Sequence, residues 1–156
     1  MTIPDNLLHK CDTLFLDRDG VVNVWLPGDY VKSWDEFRFN EGFLDFIGRY
    51  SDSFKHVFIV TNQRGVGKGL MTQEQLDDIH SRMLSAICKT GGRIDRIYLC
   101  TSVDDSDPMR KPNTGMALQA MKENPDVSME RSLMIGDQPS DRLFAENCGM
   151  QFLLWE

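Results

Sequence analysis

Short apolar runs alternate with amphipathic segments along this chain, and that alternation restricts the fold more than any other feature. Thr13–Leu16, Val57–Val60, Ile97–Cys100 and Ser132–Ile135 are almost wholly apolar and read as strands covered on both faces, with Phe152–Trp155 as a fifth. The segments between them carry helical patterns. The clearest runs from Thr72 to Thr90. Thr72 can cap it, with Gln75 completing a capping box. Leu76, Ile79, Met83, Leu84 and Ile87 then share one face, and Gly91-Gly92 stops the run. Gly42–Tyr50, Gly115–Glu123 and Ser140–Cys148 read as further helices, the last closed by Gly149. Such alternation predicts an α/β fold, a Rossmann-like parallel sheet with helices on both faces.

A chain of 156 residues fits one domain, spanning 1–156, with no room for a large cap domain. Its formal net charge of −7 counts against a nucleic-acid partner, because neutralising phosphates along a strand needs a basic face. A small phosphorylated metabolite held by a few local cations remains open. No apolar run reaches the ~20 residues of a membrane helix. The start, Met-Thr-Ile-Pro-Asp-Asn, has neither the basic nor the apolar region of a signal peptide. Cys11, Cys88, Cys100 and Cys148 are scattered, which suits reduced thiols in a cytoplasm. A monomer is the expectation for a domain of this size without a cap.

Ligands of open parallel sheets bind at the carboxyl ends of the strands, so the loops there matter most. The first reads Asp17-Arg18-Asp19-Gly20-Val21-Val22-Asn23. Its carboxylates can serve as nucleophile, metal ligand or acid/base, or be plain solvated loop groups. An EF-hand is a poor fit, since Val21 and Val22 stand where a ligand and the glycine belong. The second reads Thr61-Asn62-Gln63-Arg64-Gly65-Val66-Gly67-Lys68-Gly69. A P-loop fails on spacing, since Lys68 is followed by Gly69 rather than Ser or Thr. The third, Thr101 to Asn113, holds Asp104, Asp105 and Asp107, read as solvated, and then Arg110-Lys111-Pro112 before a helix. The fourth is Gly136-Asp137-Gln138-Pro139-Ser140-Asp141, where helix capping alone would explain Asp141. Each loop has a simple structural explanation, but no single one covers all four. Together they supply a carboxylate nucleophile, a second carboxylic acid, aspartates suited to Mg²⁺, and a hydroxyl and an ammonium for phosphoryl oxygens.

These four segments resemble, in order, the four motifs of the haloacid dehalogenase superfamily of phosphatases: Phe15–Asn23, Val60-Thr61-Asn62-Gln63, Arg110-Lys111-Pro112 and Ile135-Gly136-Asp137-x-x-x-Asp141. The wording is nearest to the histidinol-phosphate phosphatases and the D-glycero-D-manno-heptose 1,7-bisphosphate phosphatases. Polynucleotide 3′-phosphatases are more distant. The resemblance implies a phosphomonoesterase with catalytic Asp17, Asp19, Thr61 and Lys111. Asp17 would form an aspartyl-phosphate, and Asp19 would act as acid and then base. It also implies substrate contacts from Asn62, Gln63 and Arg110, and Mg²⁺ held by Asp17, the Asp19 carbonyl and Asp137, with Asp141 orienting a bound water. A sugar bisphosphate such as a heptose 1,7-bisphosphate is the leading substrate, with histidinol phosphate next. A non-catalytic module is the rival reading.

Two departures stand out. The close relatives carry a zinc loop of one His and three Cys before Arg-Lys-Pro, and here only Cys100 stands at its start, so structural zinc is not expected. Gln138 follows the motif-four aspartate, where heptose enzymes tend to carry Lys. The stretch Asn23–Phe39, with Trp25, Tyr30 and Trp34, either controls access to the site or packs on the sheet edge. His80 reads as structural or exposed.

Overall fold

The computed structural model describes residues 1–156. In chain order its elements are α1 (Asp5–Lys10), β1 (Thr13–Leu16), α2 (Phe43–Tyr50), β2 (His56–Asn62), α3 (Arg64–Gly67), α4 (Gln73–Lys89), β3 (Arg96–Cys100), α5 (Gly115–Glu123), β4 (Ser132–Gly136), α6 (Pro139–Cys148) and β5 (Gln151–Leu154). The strands form one sheet in the order β3-β2-β1-β4-β5. Every pairing is parallel.

The pleat divides each strand between two cores, because successive side chains point to opposite faces. Leu14, Leu16, Val57, Ile59, Leu133 and Ile135 face one side. They pack there with Phe43, Phe46 and Ile47 of α2 and Leu76, Ile79 and Met83 of α4. Phe15, Phe58, Val60 and Met134 face the other, against Met116, Ala117 and Ala120 of α5 and Phe144 and Ala145 of α6. Helices thus cover both faces, which is why the strand sequences are apolar throughout rather than alternating.

The capping signals act as their sequences predict. Thr72 Oγ1 accepts from Gln75 N at 3.0 Å, and Thr72 N donates to Gln75 Oε1 at 2.8 Å. Gly149 ends α6 with φ +85°, a left-handed turn that favours glycine. Two short helices carry no signal in the sequence. Helix α1 has no buried residue and therefore no apolar stripe to detect. Helix α3 contains two glycines and reads as a turn. Gly67 nevertheless belongs there, because a Cβ on it would collide with the Thr101 carbonyl. Strand β2 also runs two residues beyond the apolar stretch, carrying Thr61 and Asn62 into the sheet.

The Asn23–Phe39 stretch divides its aromatics between packing on α2 and lining the cavity. It is pinned at its ends by bridges from Asn23 to Asp19 and to Phe39. Trp34 stacks on Phe37 (centroids 5.0 Å), and Phe37 meets Phe39 edge-on, continuing an aromatic row to Phe43 of α2. Trp25 does the opposite. It is 48% exposed and lines the cavity described next.

Candidate active site

The carboxyl ends of β1, β2 and β4 converge with the loop after β3 on a cavity of about 230 Å³. Asp17, Asp19, Trp25, Asn62, Lys111, Gln138, Ser140 and Asp141 line it. A second hollow of about 130 Å³, under Leu26, Tyr30 and Val31, shares Asp19, Trp25 and Asn62 with the first.

Lys111 is the hub. Its side chain is 3% exposed, and Nζ donates to Asp17 Oδ1 and to Asp141 Oδ1, both at 2.8 Å. Its position is set through the main chain. Asn62 Nδ2 donates to the Lys111 carbonyl at 3.1 Å, and Lys111 N donates to Asn62 Oδ1 at 3.0 Å. One amide side chain at the end of β2 thereby fixes the loop that follows β3. The substrate contact that the resemblance gives to Asn62 therefore comes with a structural task.

Asp17 sits at the end of the central strand. Oδ1 accepts from Arg18 N at 2.9 Å as well as from Lys111. Asp19 is held by three donors. Arg18 Nη2 (2.8 Å) and Asn23 Nδ2 (2.9 Å) reach its Oδ1, and Gln63 Nε2 (2.8 Å) reaches its Oδ2. The same Gln63 nitrogen lies 2.8 Å from Thr61 Oγ1, so that buried hydroxyl accepts from Gln63 and keeps its own proton to donate. Asp141 Oδ2 accepts from the main-chain N–H of Asp137 and of Gln138, both at 3.2 Å, bracing the turn out of β4. Two glycines make room. A Cβ on Gly20 (φ +97°) would collide with the Asp137 carboxylate, and one on Gly136 with Asp141.

The charge balance of this cluster points to a cation. Ligand oxygens of Asp17, Asp137 and Asp141 lie within 4.8 Å of one another, with one ammonium among three carboxylates. Burial raises the Asp17 carboxyl well above the ordinary range, against the pull of Lys111 and helped by Asp141 and Asp19. Burial and the neighbouring Asp141 also raise Asp137. Asp137 Oδ1 is buried and has no hydrogen-bond partner, which is costly for a carboxylate oxygen unless a cation faces it. A hard, oxygen-only donor set of this kind fits Mg²⁺. Lys111 is raised above the usual lysine range: burial opposes its charge, but Asp17 and Asp141 outweigh burial. Asp19 behaves differently from its neighbours. Burial works to raise it, yet the Arg18 charge and the three hydrogen bonds hold it below its ordinary value.

The structure brings Asp17, Asp19, Thr61, Asn62, Gln63, Lys111, Asp137 and Asp141 together. Arg110 is placed elsewhere. Its guanidinium bonds Asp105 (3.1 Å) and the Ser102 carbonyl (3.4 Å), outside the cavity lining. Asp105 also pairs with Arg64. The other aspartates of that loop close turns: Asp104 Oδ1 accepts from Ser106 N and Asp107 Oδ1 from Met109 N. Asn113 ties the segment shut through the Asp105 and Asp107 carbonyls. Side-chain turn closure thus organises the stretch from Thr101 to Asn113. Gln138 and Ser140, to which the motifs assign no role, also line the cavity, and Gln138 Nε2 donates to Asp137 Oδ2 at 3.1 Å.

Known proteins share this architecture. A family model described as polynucleotide kinase 3 phosphatase matches residues 28–156. The D-glycero-alpha-D-manno-heptose-1,7-bisphosphate 7-phosphatase of Mycobacterium tuberculosis (strain ATCC 25618 / H37Rv) is 34% identical over 135 residues, 86% of this chain and 71% of that protein. The D-glycero-beta-D-manno-heptose-1,7-bisphosphate 7-phosphatase of Helicobacter pylori (strain J99 / ATCC 700824) is 32% identical over 136 residues, 86% of this chain and 76% of that protein. Among solved structures, the D,D-heptose 1,7-bisphosphate phosphatase of B. bronchiseptica, complexed with magnesium and phosphate, superposes with a TM-score of 0.85 at 34% identity. That match covers 92% of this chain and 79% of the other. The chain is therefore a phosphatase of the haloacid dehalogenase superfamily, and it belongs to the polynucleotide kinase 3 phosphatase family.

Proposed function

We propose that this phosphatase hydrolyses a phosphomonoester of a small sugar bisphosphate, a heptose 1,7-bisphosphate above all, through an aspartyl-phosphate and with Mg²⁺. The observation that carries this reading is the Lys111 ammonium bridging Asp17 and Asp141 beside the unpartnered oxygen of Asp137. The net charge of −7 disfavours an extended nucleic-acid substrate despite the family's name. Free cysteines and a phosphorylated metabolite suit a cytoplasmic setting.

Both donors to the Asp17 carboxylate fall on Oδ1, so Oδ2 is the attacking oxygen. It forms a bond to phosphorus while the bond to the leaving oxygen breaks, and Asp19 gives that oxygen a proton. Asp19 then takes a proton from water, the water oxygen attacks phosphorus, and the bond to Asp17 breaks to release phosphate. Donors around Asp19 favour its ionised form, which suits the second step and opposes the first, where Asp19 must carry a proton. Thr61 Oγ1 and Lys111 Nζ donate to phosphoryl oxygens, where charge accumulates. Asp17, Asp137 and the Asp19 carbonyl would hold Mg²⁺, with Asp141 behind them. Bound there, the ion would neutralise phosphoryl charge. Trp25 offers an apolar face over the sugar at the mouth of the cavity.

The test is phosphate release from both anomers of the heptose bisphosphate, histidinol phosphate, a 3′-phosphorylated oligonucleotide and p-nitrophenyl phosphate. The expected ranking by kcat/KM puts a heptose bisphosphate first. A best rate on the oligonucleotide, or no release from any of them, would sink the proposal. Mg²⁺ at about a hundredfold over its Kd should raise Tm by about 5–10 °C, since an ion bound only by the folded state stabilises it by about 2.7 kcal/mol at that excess. EDTA should reverse the shift and Asp137→Asn should remove most of it. An equal shift in the variant would place the ion elsewhere.

A further inference from the structure

We infer that His80, in the middle of α4, is a positioning residue for the proton-transferring Asp19, acting through Arg18. The inference rests on the acid/base role proposed for Asp19. It starts from an arginine in an unusual place. Arg18 has 0% exposure, deep beneath the site. A guanidinium stays protonated in proteins and presents only donors, so burying one is costly unless its N–H groups find acceptors. Nη2 finds Asp19 Oδ1 at 2.8 Å. Nη1 finds His80 Nε2 at 3.1 Å. Nε has no hydrogen-bond partner, and the Phe37 ring stands 5.9 Å away. Asp19 and His80 are thus the two side-chain acceptors that orient this buried cation.

The geometry also settles the state of the histidine. Every nitrogen of the facing guanidinium donates, so His80 Nε2 must present its lone pair, with the ring proton on Nδ1. Burial, aided by the Arg18 charge, lowers the imidazole to about 4, so it is neutral at working pH. A helix residue among Leu76, Ile79 and Met83 would ordinarily be apolar. Here a neutral acceptor occupies that face and fixes the guanidinium plane. The plane in turn fixes Oδ1 of Asp19, while Gln63 holds Oδ2. An apolar residue at position 80 would strip Nη1 of its acceptor and free Arg18 to swing. Asp19 would then lose its aim at the leaving oxygen.

The consequence is selective. A poor leaving group, a sugar alkoxide, needs the proton from Asp19 as its bond to phosphorus breaks. p-Nitrophenolate departs without one. The parameter kcat/KM covers steps up to departure of the leaving group and omits hydrolysis of the intermediate. The experiment measures kcat/KM for the heptose bisphosphate and for p-nitrophenyl phosphate on the same samples of parent, His80→Phe and His80→Gln. His80→Phe keeps a ring and loses the acceptor. It should fall about 10–100-fold on the sugar substrate, within the usual contribution of a proton-transfer group, and less than threefold on the aryl substrate. His80→Gln retains an acceptor and should restore most of the sugar activity. The ratio of the two values does not depend on how much protein folds. If His80→Phe fails to accumulate, His80→Leu carries the same reading. Equal losses on both substrates would overturn the inference and leave a merely structural histidine, as would no loss on either. A parent inactive on both substrates would overturn the phosphatase assignment itself, and this inference with it.

Discussion

Asp17→Asn is expected to lower kcat by about 10⁴-fold or more on every substrate, because the change removes the attacking oxygen and leaves positioning intact. The amide is nearly isosteric, and its oxygen can still accept from Lys111 and from Arg18 N. Structure should therefore survive the loss of rate. Stability should move the other way. The Asp17 carboxyl is raised well above its ordinary value by burial and by the acidic groups beside it. Without Mg²⁺, keeping it ionised at neutral pH therefore costs folding free energy that an amide does not incur. The variant's Tm without Mg²⁺ should rise by roughly 2–4 °C, equivalent to about 1 kcal/mol in a chain of this size. Steady-state kinetics and melting curves check both halves. A variant that keeps a tenth of parental kcat would exclude Asp17 as nucleophile. One that melts lower without Mg²⁺ would contradict the charge argument.

Lys111→Met should damage both rate and stability. The ammonium is the only cation among three carboxylates, and its side chain is almost wholly buried. Removing one partner of a buried ionic group leaves uncompensated charge, typically at a cost of about 3–5 kcal/mol. Mg²⁺ should recover part of that deficit, because an ion in the cluster offsets the same surplus of negative charge. The kcat should fall by about 10²–10³-fold, the usual effect of losing one preorganised donor to developing charge. Lys111→Arg should restore little, since a planar fork cannot sit as a point charge between two carboxylates. Urea unfolding with and without Mg²⁺, beside kcat at saturating substrate, checks this. A variant within threefold of parental kcat would remove Lys111 from the mechanism.

Much of this site was legible because its chemistry is written in local patterns. Asp17, Asp19, Asp137 and Asp141 each follow a strand whose apolar run is unmistakable. The rule that ligands bind at carboxyl ends brings those loops together without any knowledge of their distances. What the sequence withheld depends on long-range contact. His80 lies 62 positions from Arg18, and a histidine among core positions of a helix gives no sign of what it faces. Asn62 was legible as a pocket group, but its grip on Lys111 spans 49 positions. Arg110 shows a different long-range dependence. Its place beside Lys111 suggests a substrate contact, yet its guanidinium turns to Asp105, one of three acidic residues that looked alike in sequence. Helices α1 and α3 went unseen because neither buries an apolar stripe that could register as a period.

The parallel pairing of β1 also has a consequence for how this protein is made. Thr13 pairs with His56 on one side and with Ser132 on the other, so the central strand waits for partners 43 and 119 positions downstream. Closing such loops is slow, and strand β4 leaves the ribosome well after β1. Asp17 therefore emerges before β4 and stays chemically idle until β4 delivers Asp137 and Asp141 to its side. Recovered turnover after dilution from denaturant should consequently lag any signal from the α4 helix, which needs only local contacts to form.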